Sequence, residues 1–255
     1  MKRVHAAVAA MACSLAIGSV AMAQNQAPAP APSPINLPEI GRVRAITPSC
    51  AVMRDLVIPS WQVAQKVDAR FVKNAQPRLP KYMRVVDEDA TNPERTMLIS
   101  YLDQQVGLMK EDLTKISDAL GDYRLRSPRD SQSALLRDKL QDLYDAESGR
   151  ANILWEFVTR QRVQQAKDEA RALRAQTAPT VNVAAGGNPD TGIGIPGATP
   201  VPGQTPEPYA MPHLTGIPLQ DERTMTMWGE SMTNAVYDTE DSTSRVFTVV
   251  ANSCH

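Results

Sequence analysis

Few side chains in this 255-residue chain suit acid–base catalysis, because histidine, the commonest catalytic acid or base, occurs only three times. His5 lies in an apolar N-terminal stretch, His213 follows a proline, and His255 is the last residue of the sequence. No G-x-S-x-G, H-E-x-x-H or C-x-x-C pattern is present. The sequence therefore predicts a protein that is not an enzyme and carries no cofactor. An enzyme that uses carboxylates alone stays open, since paired acids leave no local signature.

Soft-metal binding is the alternative chemistry that the sequence offers. Met225 and Met227 lie in the same segment as His213, and thioether and imidazole groups suit Cu(I). The pattern Met225-x-Met227-Trp228 resembles periplasmic copper chaperones that combine methionines with a tryptophan, and the resemblance implies a periplasmic copper-binding module. The other interpretation is that these methionines are adaptable core residues of the C-terminal segment. We predict no metal site, with Met225, Met227 and His213 as the ligands of the alternative.

The N-terminus predicts export from a bacterial cytoplasm. Lys2 and Arg3 precede an apolar stretch, and the small-x-small sequence Ala21-Met22-Ala23 stands directly before Gln24. Residues 1–23 are therefore predicted to be a cleavable signal peptide, which places the mature protein in the periplasm or outside the cell. The stretch falls short of the about 20 apolar residues of a spanning helix, so we expect no transmembrane span after cleavage.

The cysteines predict one disulfide. Cleavage would remove Cys13 and leave Cys50 and Cys254 in an oxidising compartment, where two cysteines most simply pair. In the chain-entropy treatment, closing so long a loop stabilises the fold by about 5 kcal/mol. The alternative is two free or intermolecular thiols.

The balance of basic and acidic residues indicates which class of molecule the protein binds. Removing Lys2 and Arg3 leaves 25 basic and 28 acidic residues, a net charge of −3, which is not the balance of a nucleic-acid-binding protein. Residues 24–176 carry a net charge of +3, and residues 207–255 carry a net charge of −5. The acidic C-terminal piece either lies against the basic body or is simply solvated.

Composition divides the chain into five parts. After the signal peptide we predict a Pro-rich spacer (24–44), a helical bundle (45–176), a Gly/Pro-rich linker (177–208) and a small acidic C-terminal segment (209–255). The predicted fold class is mainly α. It is an antiparallel, coiled-coil-like helical hairpin or three-helix bundle, with a short β-strand in the C-terminal segment.

The first arm of the hairpin is predicted to begin at Asn92-Pro93, an N-cap followed by proline at the first helical position, and to end before Gly121. Its apolar residues follow one another at spacings of three and four, which predicts an interaction seam that packs lengthwise against another helix. The seam consists of Ile99, Leu102, Val106, Met109, Leu113, Ile116 and Leu120.

The second arm is predicted to start after an N-cap at Ser127 and contains no proline from Arg129 to Ala178. Its seam is interrupted by the polar residues Glu147 and Arg150. The short connection makes the two arms antiparallel neighbours. The apolar members of the second seam are Leu136, Leu140, Leu143, Leu154 and Phe157.

The second arm is longer than the first and ends in a basic stretch from Thr159 to Gln176. A weak heptad stripe runs along this stretch, and either an earlier segment of the chain covers it or another molecule does. The stripe consists of Val163, Ala166, Ala170 and Leu173. The arginines that form the predicted partner surface are Arg160, Arg162, Arg171 and Arg174.

Two further elements complete the expected fold. A third helix is predicted within residues 48–75, broken or restarted at Pro59 and ended by Pro77 and Pro80. In the C-terminal segment, the β-branched run Val246–Val250 predicts a strand, with the alternating stretch Thr224–Trp228 as its partner.

Together these features favour a non-enzymatic cell-envelope protein that acts as a structural or protein–protein interaction module. The expected partners are other proteins or further copies of the chain. The exported, long-helix layout resembles the helical minor pilus components of type IV secretion systems. The resemblance implies a part in a secretion, conjugation or surface assembly.

Overall fold

The computed structural model describes residues 40–86, 93–126, 130–177 and 209–255. The predicted signal peptide, most of the spacer and nearly all of the 177–208 linker lie outside these ranges. The described part is mainly helical, which confirms the predicted fold class at that level. None of its helices is apolar over a length that would cross a membrane.

The first helical region continues past two prolines by means of π-helical turns. It comprises α1 (Pro48–Val52), a π turn (Met53–Val57), α2 (Ile58–Arg70), a second π turn (Phe71–Ala75), a 3-10 turn (Gln76–Arg78) and α3 (Leu79–Val86). Pro59 and Pro77 have no N–H to donate to the preceding turn, and each follows a wider π turn that accommodates the ring. The predicted restart is present, since α2 begins at Ile58. Pro77 and Pro80, by contrast, do not end the helical region, because Pro77 lies in the 3-10 turn and Pro80 lies near the start of α3.

Two long helices follow, α4 (Pro93–Arg126) and α5 (Ser131–Thr177). Arg95 near the start of α4 pairs with Asp168 late in α5, whereas Tyr123 near the end of α4 donates to the Ser133 carbonyl at the start of α5. The two helices therefore run antiparallel. With 47 residues, α5 is about 70 Å long and extends past the start of α4.

The predicted end of the first of these helices was wrong. α4 does not stop before Gly121, because the following turn carries Tyr123, whose buried ring and hydroxyl bind it to α5. At the start of α5 the capping residue is Asp130, whose carboxylate accepts from the Ser133 N–H at 2.7 Å. The predicted cap, Ser127, lies outside the described residues.

The predicted C-terminal strand was also wrong, because residues 218–252 form one helix, α6 (Pro218–Asn252). Both segments of the proposed strand pair lie in this helix. Val246–Val250 is rich in residues that favour strands, but tertiary packing determines its conformation. One face of α6 is buried along the whole length of the helix. The buried residues on this face include Met225, Trp228, Met232, Val236, Phe247 and Val250.

α6 packs into the same core as the other helices, chiefly against α3 and α5. The ring of Trp61 meets Phe247 edge-on with centroids 5.9 Å apart, and Phe157 lies 5.6 Å from Trp228. The predicted disulfide between Cys50 and Cys254 is present, with Cα atoms 5.6 Å apart. It joins the turn that follows α6 to α1, so the two ends of the described chain lie close together.

Candidate functional site

A charged layer is buried in the middle of the bundle, where the α5 seam turns polar. Arg150 donates from Nη1 to Asp68 Oδ1 at 2.8 Å and from Nη2 to Glu147 Oε2 at 2.5 Å. Arg150 and Glu147 are both 0% exposed, and the guanidinium carbon lies 4.5 Å from the centroid of the Phe71 ring. The polar interruption seen in the sequence is thus an ion-pair network that joins α5 to α2.

Glu240 of α6 brings a further carboxyl group to this layer. Burial, reinforced by the charges of Asp68 and Glu147, raises the pKa of Glu240 to about 8 although Arg150 opposes the change. Burial also raises the pKa of Glu147 to about 7, against the opposing charge of Arg150. The Oε1 atoms of Glu147 and Glu240 have no hydrogen-bond partner within the described ranges. These groups therefore retain protons at pH values where an exposed glutamate is ionised.

Tyr209 covers the charged layer from outside. Its hydroxyl donates to the Ala146 carbonyl at 3.0 Å. Its ring lies so close to α5 that a Cβ atom on Gly149 would be only 3.3 Å from Tyr209 Cε1. Glycine at position 149 thus permits the close approach of the segment that leads into α6.

The centre of this layer is closed to solvent. Because Glu147 and Arg150 have no solvent exposure, a substrate does not reach them in this conformation. A buried, hydrogen-bonded charge network of this kind fixes which residues face each other across a helical interface. The arrangement gives specific support to a structural role for the layer.

The interaction seam of α4 faces the interior of the protein. All seven predicted residues are buried, the most exposed of them, Leu120, at 5%. They contribute to one hydrophobic core with α2, α5 and α6. The seam is therefore occupied by the chain's own helices.

The residues proposed for copper binding differ in their surroundings. Met225 is fully buried in the core, whereas Met227, two residues further on, points to another side of α6, and His213 is exposed. Cys254, the nearby sulfur, is held in the disulfide. In the part of the chain that the structure describes, no group of three or more His, Cys, Asp and Glu side chains is placed to hold a metal ion.

The basic end of α5, residues 160–176, is called the α5 extension here. Its inner face is polar and binds the bundle by side-chain hydrogen bonds. Gln161 accepts from the Tyr82 hydroxyl at 3.0 Å, Gln165 donates to the Thr96 hydroxyl, and Asp168 pairs with Arg95 at 3.4 Å. These contacts fix which side of the extension faces the protein.

The outer face of the α5 extension carries the apolar stripe. Successive residues of a helix are about 100° apart, so Val163 and Ala170 point away from the bundle when Gln161, Gln165 and Asp168 point toward it. Val163 is 51% exposed and Leu173 is 62% exposed, and Ala166 and Ala170 between them are exposed as well. The sequence predicted that either an earlier segment of the chain or another molecule covers this stripe. No described segment of the chain buries it.

The predicted partner surface lies on the same stretch. Arg160 pairs with Glu156 on its own helix, Arg162 pairs with Asp103 at 2.8 Å, and Arg171 lies 3.9 Å from Asp168. All three arginine side chains are more than half exposed, and Arg174 is exposed too. With Lys167 and two acidic residues, the extension carries a net charge of +3.

Comparison of the chain with protein families, curated proteins and solved structures yields no match.

Proposed function

We propose that this protein is an exported, non-enzymatic module of the cell envelope that binds a protein partner through the α5 extension. The observation that carries the proposal is the outer face of that extension, where apolar residues at heptad spacing are exposed on a helix whose opposite face is bonded to the bundle. An exposed apolar stripe flanked by charges is typical of a helix that packs against another chain.

Export is supported by two independent features. The N-terminal 23 residues have the pattern of a signal peptide, and the Cys50–Cys254 disulfide suits an oxidising compartment. The Pro-rich residues 24–38 would then precede the helical body in the mature chain. Taken with the long helices, this layout supports a place in a secretion, conjugation or surface assembly.

The proposal is tested in the native cell envelope. The intact mass of the protein recovered from the periplasm should correspond to a chain that begins at Gln24 with one disulfide. Chemical crosslinking in the same fraction should give an adduct with a second protein. Recovery of the monomer alone, under conditions where known envelope complexes crosslink, would contradict a binding function.

A further inference from the structure

We infer that the partner of the α5 extension is an acidic amphipathic helix, docked lengthwise on the outer stripe. The inference rests on the proposed binding function and names the chemistry of the partner. It follows from the arrangement of charges beside the stripe.

The stripe defines a heptad register for the outer face. Val163 and Ala170 occupy a positions, and Ala166 and Leu173 occupy d positions. The e positions beside them, seven residues apart, are then all basic. They are Arg160, Lys167 and Arg174.

Charges at e positions select the partner of a coiled-coil helix, because they lie against the flanking positions of the facing helix. On the other flank, the g positions are Arg162, Glu169 and Gln176, whose charges sum to zero. Arg160 and Arg162 each have an acidic partner already, Glu156 and Asp103. The e positions, with three basic residues, therefore carry the net positive charge of the surface that a docked helix would meet. Acidic residues along one edge of the partner would complement it.

A second copy of the chain fits this surface poorly. In an antiparallel pair of extensions the two e rows would face each other, basic against basic. In a parallel pair Arg162 would face Lys167 of the other copy and Glu169 would face Arg174, so the repulsion in the first pair offsets the attraction in the second. Like charges placed opposite one another disfavour such pairing.

The chain's own residues outside the described ranges are also poor occupants. Residues 178–208 follow directly after α5, but they are rich in glycine and proline and contain no run that suits an amphipathic helix. Residues 24–38 alternate proline with small residues over much of their length.

A membrane surface is likewise disfavoured by the shape of the stripe. Helices that lie in a bilayer interface present a wide apolar face with several large side chains. Two of the four residues in this stripe are alanines, Ala166 and Ala170, which leave a narrow and shallow groove. Small residues on a narrow seam allow a second helix to approach closely.

The test uses the full exported protein, with its disulfide intact, and two synthetic peptides of four heptads. Both peptides carry leucine at a and d; one has glutamate at e and g, the other lysine. Binding is measured by the fluorescence anisotropy of labelled peptide at low and high salt. The glutamate peptide should bind about tenfold or more tightly than the lysine peptide, and high salt should reduce that difference.

Charge-reversal variants sharpen this test. Lys167→Glu with Arg174→Glu should remove the preference for the glutamate peptide and shift it toward the lysine peptide. The matched control is Arg137→Glu with Lys139→Glu, which alters basic residues near the other end of the same helix. This control should leave both affinities within about twofold of the unmodified protein, because it lies on the order of 40 Å away. Circular dichroism and the unfolding midpoint show that each variant is folded.

Four results would overturn the inference. They are equal binding of the two peptides, binding of neither peptide, binding only to vesicles of phosphatidylglycerol and phosphatidylcholine, and dimerisation of the protein through the stripe. Each of these results contradicts the acidic-helix partner but not the proposed binding function, provided that envelope crosslinking still captures a partner protein. Failure of that crosslinking counts against the function itself, so the two failures are distinguishable.

Discussion

The ring of Tyr209 lies against Gly149 of α5, at a distance where a Cβ atom on residue 149 would be 3.3 Å from Tyr209 Cε1. The Tyr209 hydroxyl reaches the Ala146 carbonyl one turn earlier. This contact fixes the segment before α6 over the buried charges of Glu147 and Arg150.

Replacing Gly149 by alanine should give none of the stabilisation that alanine normally confers in a helix. At Gly107 of α4, where a new Cβ meets nothing within 4 Å, the same change should raise the free energy of unfolding by about 0.5–1 kcal/mol. At Gly149 the new Cβ would displace the Tyr209 ring, and the lost contact would cancel or reverse the increase in the free energy of unfolding. Urea unfolding of both variants measures the difference.

A Tyr209→Ala background serves as the control for this comparison. Without the ring, Gly149→Ala should stabilise the protein about as much as Gly107→Ala does. If Gly149→Ala stabilises the protein that retains Tyr209 as much as Gly107→Ala does, the contact with Tyr209 does not contribute to stability.

Replacing Arg150 by methionine should destabilise the protein by about 3–5 kcal/mol, because it leaves Glu147 and Asp68 without their counter-charge. The double change Arg150→Met with Glu147→Leu should recover much of this loss, since Asp68 is 30% exposed and can be hydrated. Denaturant unfolding provides the measurement. Arg137→Met, at an exposed position of the same helix, is the matched control and should change the free energy of unfolding by less than about 0.5 kcal/mol. If Arg150→Met lowers the free energy of unfolding no more than this control does, the ion-pair network does not stabilise the fold.

Stability should fall as the pH rises from about 4.5 to about 8, because Glu147 and Glu240 have raised pKa values in the folded protein. A carboxyl group that holds its proton more strongly when folded favours the folded state at low pH, and this advantage is lost as the pH passes through the folded pKa. The Glu240→Gln variant should therefore have the same free energy of unfolding as the unmodified protein at pH 5. At pH 9 its free energy of unfolding should be higher by about 1 kcal/mol or more.

The matched control for the pH prediction is Glu230→Gln on the exposed side of the same helix. It should show the pH dependence of the unmodified protein. The groups that act on Glu240 from the other helices are Asp68, Glu147 and Arg150. A Glu240→Gln curve parallel to that of the unmodified protein from pH 5 to pH 9 would show that Glu240 is not in a buried, charged environment.

Removing the disulfide by Cys50→Ala with Cys254→Ala should lower the free energy of unfolding by about 2–5 kcal/mol. Alanine is the appropriate replacement because both positions are buried, at 2% and 0% exposed. Reduction of the unmodified protein should have a similar effect. Free thiols detected in the unreduced, denatured protein would contradict the pairing of Cys50 with Cys254.

The apolar seam of α4 could be predicted from the sequence, because its signals lie close together along the chain. The α4 seam repeats every three or four residues, and all of its members are buried. α6 was missed because its buried face includes small polar residues, Thr243 and Ser244, which interrupt the apolar pattern. The spacing from Met225 to Trp228, Met232 and Val236 was the signal that would have revealed it.

The charged layer could be predicted only in part. Glu147 and Arg150 stood out as polar residues in an apolar seam, but Asp68 lies 82 residues before Arg150, and no local pattern links the two. Glu240 joins them only because α6 packs against α5. The continuation past Pro77 also depends on a π turn, whose formation is determined by packing around Phe71 and Ala75.

Site-specific photo-crosslinking in the native envelope tests the central claim most directly. A photoreactive residue at Ala166, on the outer face of the α5 extension, should give an adduct with a second protein. The same residue at Leu135, which is 44% exposed near the other end of α5, should not. Adducts from both positions alike, or from Leu135 alone, would contradict a binding surface on the α5 extension, as would the absence of any adduct from Ala166.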